Sequence, residues 1–79
     1  MIDVEYFALL REVSGKSTEK VELHSGDAGV SVFLRLQEKY GFPLSHKNVR
    51  LAVNDEFKDM DRPLASGEKI VFIPPVAGG

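Results

Sequence analysis

One stretch decides the fold: Lys69-Ile70-Val71-Phe72-Ile73, a run dense in β-branched and aromatic residues. A continuous apolar run of this kind is typical of a strand that is buried on both faces, in a central position of a sheet. Pro74-Pro75 follows at once and ends the strand, because proline has no backbone N–H to donate. The rest of the chain is therefore expected to pack around residues 69–73.

Two strands are predicted upstream. Polar and apolar residues alternate through Ile2–Phe7 and again through Lys20–Leu23, which is the pattern of half-buried strands. Arg11–Lys16 lies between them and carries the polar residues and the glycine that are typical of a turn. The two strands are therefore expected to form a hairpin.

A single helix is predicted to begin near residue 27 and to end at Tyr40. Asp27 is the expected N-cap, Gly41 suits the left-handed position after a helix, and Pro43 prevents its continuation. At 3.6 residues per turn, an apolar face forms from Val30, Phe33, Leu34, Leu36 and Tyr40. This face is expected to cover a sheet.

Another strand is predicted at Val49–Val53, ended by a turn at Asn54-Asp55. The polar segment Glu56–Arg62 is expected to form a short edge strand or an irregular excursion, held down by Phe57 and Met60.

This order of elements predicts an α+β fold of the β-grasp type. A mixed sheet of four to five strands carries one helix packed across one face, and the two terminal strands pair in parallel. Residues 1–73 are expected to form the domain, and residues 74–79 a flexible carboxyl-terminal tail.

Composition excludes several classes of function. The 79 residues carry a net charge of −2 and no basic cluster, which argues against a nucleic-acid partner. No apolar run reaches the roughly 20 residues that cross a membrane, and no targeting segment is recognised, so a cytoplasmic protein without membrane contact is expected. There is no cysteine, which excludes disulfides, cysteine-ligated metals and a thiol nucleophile.

The side chains offer no recognisable catalytic centre. Ser14-Gly15-Lys16-Ser17 lacks the upstream glycine and the following helix of a phosphate-binding loop. The acidic segment 55–61 lacks EF-hand spacing, and His24 and His46 are each isolated from a second metal ligand. We expect the chain itself to bind no metal and no cofactor.

The ending Pro74-Pro75-Val76-Ala77-Gly78-Gly79 is the remaining reactive candidate. Glycine has no Cβ, so the last two residues can enter a narrow channel and present a carboxylate to a partner's active site. The proline pair favours an extended backbone that projects the tail from the preceding strand. The alternative is an ordinary frayed terminus.

Three separated segments resemble one known family. They are Phe7-Ala8-x-Leu10-Arg11-Glu12, Ala52-Val53-Asn54-x-Glu56, and Gly67-Glu68 with the ending Phe72-x-Pro74-Pro75-Val76-Ala77-Gly78-Gly79. Over nearly its whole length the sequence is similar to the small subunit of molybdopterin synthase, the MoaD family. Members of this family resemble ubiquitin in fold, which agrees with the β-grasp order. One departure is Lys69, where the family commonly has an acidic residue.

The resemblance implies a sulfur-donor subunit of a sulfurtransferase, without a side-chain active site of its own. Gly79 would be adenylated by a ubiquitin-activating-type adenylyltransferase, which uses ATP, and then converted to a thiocarboxylate. The sulfur would pass to a pterin precursor on the large synthase subunit and form the dithiolene of molybdopterin. The implied assembly is a heterotetramer of two large and two small subunits.

The resemblance also implies roles for residues near the tail. Those that would insert into the large subunit are Pro74, Pro75, Val76, Ala77 and Gly78. Phe7 and Phe72 would form an apolar patch that docks both partners. Alternation alone does not decide which face of a strand a residue occupies, so a core position for either phenylalanine is the alternative.

Two other kinds of carrier would use Gly79 in a similar way. A ubiquitin-like protein modifier would form an isopeptide bond between Gly79 and lysines of target proteins. A thiamin-pathway sulfur carrier has the same fold and a Gly-Gly terminus, but usually lacks Pro-Pro-Val before it. The ending of this chain therefore favours the molybdopterin-type carrier.

Overall fold

Five strands, two α-helices and one short 3-10 helix occur in residues 1–75, the part of the chain that the computed structural model describes. In chain order they are β1 (Ile2–Tyr6), α1 (Leu9–Ser14), β2 (Thr18–Val21), α2 (Gly29–Tyr40), the 3-10 helix (His46–Asn48), β3 (Arg50–Val53), β4 (Glu56–Lys58) and β5 (Lys69–Ile73). The strands and the main helix expected from the sequence are all present, although β2 begins two residues earlier than expected and does not include Leu23, and α1 is an addition.

The five strands form one mixed sheet in the order β2-β1-β5-β3-β4. β5 lies at the centre, parallel to β1 with Tyr6 opposite Phe72, and antiparallel to β3 with Arg50 opposite Ile73. β2 and β4 are the edge strands. The predicted ubiquitin-like β-grasp architecture, with a central last strand and parallel terminal strands, is confirmed.

The core lies between α2 and the inner face of the sheet. α2 contributes Val32, Phe33 and Leu36, which are almost fully buried. Phe33 packs edge-on against Phe72 of β5, with ring centroids 5.2 Å apart. The inner face of the sheet contributes Ile2, Val4, Tyr6, Leu51, Val53, Ile70 and Phe72. At Gly29 an added Cβ would lie 2.6 Å from Leu51 Cδ2 and 3.1 Å from the Met60 carbonyl oxygen, so the first turn of α2 packs directly on β3 and a larger residue would force these neighbours to shift.

Helix α1 occupies the segment where the sequence predicted a turn at Arg11–Lys16, and that prediction is wrong. Leu10 is fully buried and Val13 packs against the core, and residues three apart share one side of a helix. Gly15 ends the helix in the left-handed conformation, with φ at 75°. The antiparallel pairing of β1 and β2 is confirmed, but a helix connects the two strands.

Three apolar side chains lie outside the core that was predicted to hold them. Val30 is only partly buried and does not belong to the core cluster. Leu34 is 44% exposed, and Val32 takes its place, because the stripe that meets the sheet is narrower than the predicted face. Phe57 is 65% exposed, because it lies opposite Ala52 on the outer face of the sheet, with the Arg50 guanidinium 5.8 Å from its ring. Met60 is partly buried against the core, as predicted.

The sequence predicted Asp27 as the N-cap of α2, and that prediction is wrong, because Ala28 holds that position. A backbone N–H group in the first turn of α2 finds its acceptor elsewhere, since the Val30 N–H donates to the Met60 carbonyl at 2.7 Å. The Asp27 carboxylate is buried instead and accepts the His24 N–H at 2.8 Å, the Ser31 hydroxyl at 3.0 Å and the Arg35 guanidinium at 3.1 Å. It therefore ties the preceding loop to the body of the helix.

The charge on Asp27 is expected to stabilise the fold in a pH-dependent way. Burial raises the pKa of Asp27, but the hydrogen bonds from His24, Arg35 and Ser31 together outweigh it, so the pKa lies below its usual value. In the acid range the unfolded chain then binds more protons than the folded chain, so this stabilisation is present above about pH 4 and is lost as the pH falls through the folded pKa.

Asp27→Asn is therefore expected to lower the free energy of unfolding by about 1–3 kcal/mol at pH 7 and by less at pH 2.5. Urea denaturation of both proteins across this range measures the difference. Asp61→Asn, which changes an exposed carboxylate, is the matched control. If Asp27→Asn lowers the free energy of unfolding by the same amount at every pH, the result would contradict the role of the charge.

Candidate functional site

The parallel pairing of β1 and β5 brings two predicted functional segments together. Parallel strands have their carboxyl ends at the same edge of a sheet, and Tyr6 lies opposite Phe72. Phe7, which follows β1, therefore lies beside Ile73 and Pro74, where β5 ends. This edge is the point from which the tail leaves the domain.

An apolar groove surrounds this point. We call it the tail-root groove; its lining residues are Phe7, Ala8, Leu9, Glu12, Leu44, Ile73, Pro74 and Pro75. Phe7 is 46% exposed and Leu9 38% exposed, although both are large apolar residues. Glu12 is the charged residue of the lining, and it forms no ion pair with any residue in the described range 1–75. The groove therefore offers an apolar surface with a carboxylate at one side.

Helix α1 gives the groove its shape. Leu10 points into the core and Leu9, its neighbour on α1, is left exposed, while Phe7 follows the inward-facing Tyr6 and is directed outward. The Leu10 N–H donates to the Phe7 carbonyl at 3.0 Å, and Ala8 adopts a positive φ of 50° at this bend. A positive φ is unfavourable for alanine and costs on the order of 1–3 kcal/mol, so the surrounding contacts hold the bend in place. Sequence reasoning missed α1, although apolar residues at positions 10 and 13 followed by Gly15 could have indicated it.

Phe72 does not belong to the docking patch, and that prediction is wrong. Its side chain is fully buried, because β5 pairs Phe72 with the inward-facing Tyr6. Phe7 is exposed in the groove, and its role in docking stays a prediction. Leu9, Leu44 and Ile73, which the sequence did not single out, accompany it there.

Only the first part of the predicted tail is described. Pro74 is buried against the domain and Pro75 is exposed. The remaining candidates, Val76, Ala77, Gly78 and Gly79, lie outside the described residues, and their roles stay predictions.

A polar cluster centred on Glu19 lies away from the groove. Its carboxylate accepts hydrogen bonds from the hydroxyls of Tyr6 and Tyr40 and from Lys16 Nζ, the last at 3.1 Å. Burial and the bond to Glu19 raise the pKa of Tyr6 well above its ordinary value. Burial opposes ionisation of Glu19, but these hydrogen bonds lower its pKa. The tyrosine therefore stays protonated and the carboxylate charged at neutral pH, so the cluster joins β1, β2 and α2 and offers no group ready to transfer a proton.

The remaining candidates for chemistry are surface features. Within residues 1–75, no three His, Asp or Glu side chains come close enough to hold a metal ion. His24 is exposed, with Nδ1 3.3 Å from the Arg35 guanidinium, and His46 lies in the 3-10 helix. Lys69, the departure from the family pattern, pairs with Glu5 at 3.5 Å on the outer face of the sheet. No helix among the described residues is long and apolar enough to cross a membrane.

The resemblance rested on three separated segments of sequence, and the β-grasp fold agrees with it; a family model tests it. The ThiS family model matches residues 4–79. The chain belongs to the ThiS family.

Three curated relatives are each named molybdopterin synthase sulfur carrier subunit. The relative from Mycobacterium tuberculosis is 34% identical, over 99% of this chain and 96% of the relative. Those from Escherichia coli and Haemophilus influenzae are 30% and 26% identical, over the full length of both chains in each case.

Solved structures share the fold of this chain. A molybdopterin converting factor subunit 1 from Pyrococcus furiosus has a TM-score of 0.79 at 25% identity, covering 95% of this chain and 97% of that one. SAMP1 from Haloferax volcanii has a TM-score of 0.72 at 27% identity, covering 99% and 98%. The complex of subunits 1 and 2 of the converting factor from Helicobacter pylori matches with a TM-score of 0.66 at 25% identity, covering 99% and 97%. The chain is thus a ubiquitin-like sulfur carrier of the MoaD type, as the resemblance indicated.

Phe72 and Phe7 are expected to respond differently to truncation. Phe72→Ala should lower the free energy of unfolding by about 3–5 kcal/mol, because it leaves a cavity between β5 and Phe33. Phe7→Ala should change it by less than about 1 kcal/mol, because the ring is half exposed. Urea denaturation followed by circular dichroism compares the two. Equal losses would show that Phe7 is a core residue and not a surface residue.

Proposed function

We propose that this chain is the sulfur-carrier small subunit of molybdopterin synthase, and that Gly79 is its reactive residue. The observation that supports this most strongly is the position of the tail. Central strand β5 ends at an exposed apolar groove and is followed directly by Pro-Pro-Val-Ala-Gly-Gly. A reactive carboxylate at the end of such a tail can be presented to an enzyme that holds the groove.

The proposed chemistry takes place at the carboxyl carbon of Gly79. A carboxylate is a poor electrophile, so the activating enzyme first joins it to the AMP moiety of ATP and releases pyrophosphate. A sulfur nucleophile at the oxidation level of sulfide, written here as hydrosulfide and supplied by the activating system, then attacks the acyl carbon, the bond to AMP breaks, AMP leaves with the electron pair, and the sulfur loses its proton to solvent. The product is a thiocarboxylate. ATP is a substrate of the activating partner, and this chain supplies the acyl group alone.

The thiocarboxylate then delivers its sulfur to the pterin precursor. The thiocarboxylate sulfur forms a bond to a precursor carbon while an oxygen substituent leaves that carbon with its electron pair. Water then attacks the acyl carbon of the resulting thioester, the acyl C–S bond breaks, and the Gly79 carboxylate is restored. A dithiolene has two sulfur atoms, so two loaded carriers are needed for each molybdopterin. On this proposal the chain is a cosubstrate that leaves the cycle unchanged.

Two partners follow from this chemistry. The structure from Helicobacter pylori, a complex of subunits 1 and 2 of the converting factor, supports a large-subunit partner for this chain. We propose an assembly of two large and two small subunits, with Pro74, Pro75, Val76, Ala77 and Gly78 inserted into the large subunit. The second partner is a ubiquitin-activating-type adenylyltransferase.

A protein modifier is the second candidate, because the chain is also similar, at 27% identity, to SAMP1 from Haloferax volcanii, whose full name is small archaeal modifier protein 1. In that reaction the amine of a target lysine would attack the activated Gly79 in place of the sulfur nucleophile and form an isopeptide bond. The names of the curated relatives favour sulfur transfer to molybdopterin over this acceptor, and over the thiamin pathway.

Intact-mass measurement of the protein purified from cells tests the proposal. A fraction should be about 16 Da heavier than the encoded chain, because sulfur replaces one oxygen of the activated acyl group. Deletion of Gly79 should abolish this species and molybdopterin synthesis. The fold should remain intact, because the core cluster is built from residues 2–72. Glu38→Gln, which changes an exposed carboxylate on α2, is the matched control.

Two results would count against the proposal. Normal molybdopterin synthesis by the truncated chain would show that Gly79 is not the sulfur donor. High-mass lysine conjugates without the heavier species would favour the protein modifier.

A further inference from the structure

The segment after α2 carries an apolar residue to the tail-root groove by a specific route. Gly41 ends α2 in the left-handed conformation, and the chain then turns through Phe42 and Pro43 to Leu44. The Phe42 ring is buried among Tyr6, Phe33 and Tyr40, whereas Leu44 is partly buried and lines the groove. Leu44 thus lines the same groove as Ile73 at the end of β5 and as Phe7 and Leu9.

One side chain holds this segment. Gln37 Nε2 donates to the Phe42 carbonyl at 3.0 Å and to the Leu44 carbonyl at 2.6 Å, so both of its amide hydrogens are used. Neither carbonyl accepts a turn or loop bond from a backbone N–H within residues 1–75. Gln37 lies on α2, which is packed on the sheet, so the two bonds fix Leu44 to a rigid element.

The length of the tail limits how far from the groove a partner enzyme can lie. The four residues beyond Pro75 span at most about 14 Å when fully extended. An enzyme that receives the Gly79 carboxylate must therefore place its surface within that distance of the groove. Contact with water is unfavourable for the half-exposed apolar residues there, and an apolar partner surface would remove them from it.

We propose that Leu44 is a docking residue for the large synthase subunit and that Gln37 is the positioning residue that holds Leu44 in the groove. This inference rests on the proposed function. It requires an apolar surface on the large subunit that fills the groove between Leu44 and Phe7, with a cation beside Glu12, whose carboxylate is the charge in the lining.

Binding of the large subunit, measured by calorimetry with the full-length carrier, tests Leu44. Leu44→Asp should weaken binding by about tenfold or more, because a carboxylate would be buried unpaired in an apolar interface. Leu44→Met keeps the apolar volume and should bind like the wild type. Leu34→Asp is the matched control, since Leu34 is also a partly exposed leucine but lies on α2 outside the groove. Thermal denaturation checks that each variant is folded; if Leu44→Asp is unfolded, Leu44→Ala takes its place with a smaller expected loss.

A double-mutant cycle tests Gln37. Gln37→Leu keeps the size of the side chain but cannot donate, so it should raise the KM for the carrier without lowering kcat at saturation. In a Leu44→Ala background the same substitution should have little further effect, because Gln37 acts through Leu44. If Gln37 had a purely structural role, Gln37→Leu would raise the KM by the same factor in both backgrounds.

The results separate this inference from the proposed function. Wild-type binding by a folded Leu44→Asp or Leu44→Ala carrier, or additive effects in the cycle, would overturn the inference while the thiocarboxylate assay on Gly79 still succeeds. A wild-type carrier that does not bind the large subunit would overturn both.

Discussion

The parallel pairing of β1 and β5 is the constraint on which the rest of the structure depends. Consecutive strands joined by short turns pair antiparallel, so a parallel pair at the centre of a sheet needs a long connection, here the whole chain between the two strands. α2 lies within that connection and covers the inner face, while β2 and β3 complete the sheet on either side. Because both central strands end at the same edge, the exit of the tail and the residues after β1 become neighbours.

The register of this pair also decides which side chains are available to a partner. Tyr6 and Phe72 lie opposite one another and both face the core. Successive side chains of a strand point to opposite faces, so the residues that follow them, Phe7 and Ile73, are directed away from the core. A slip of β5 by one residue would turn its side chains over, exposing Phe72 and burying Ile73. The apolar groove and the core are thus two consequences of one register.

The sequence predicted the architecture well where a pattern had one interpretation. Alternation identified β1, the continuous apolar run identified β5 as central, and Gly41 has the left-handed conformation expected after α2. It failed where patterns were ambiguous. In Ile70-Val71-Phe72 every residue is apolar, so alternation could not show that Phe72 faces inward. Helix α1 has only 6 residues, too few for a clear helical period, and its glycine and polar residues also fit a turn.

The candidate site was only partly predicted, because sequence motifs show contiguous segments and do not show contacts between distant ones. Motifs indicated Phe7 and the tail because those residues belong to contiguous segments. Leu44 and Gln37 carry no motif, since their importance depends on a contact between α2 and a loop whose path is set by the tertiary structure. The short length of the tail explains why residues of this groove are expected to contact a partner. An enzyme that binds Gly79 has to come within about 14 Å of Pro75, and Pro75 lies in the tail-root groove. Selection between partners is therefore expected at the tail-root groove, where the shape depends on the packing of α1 and on the loop held by Gln37.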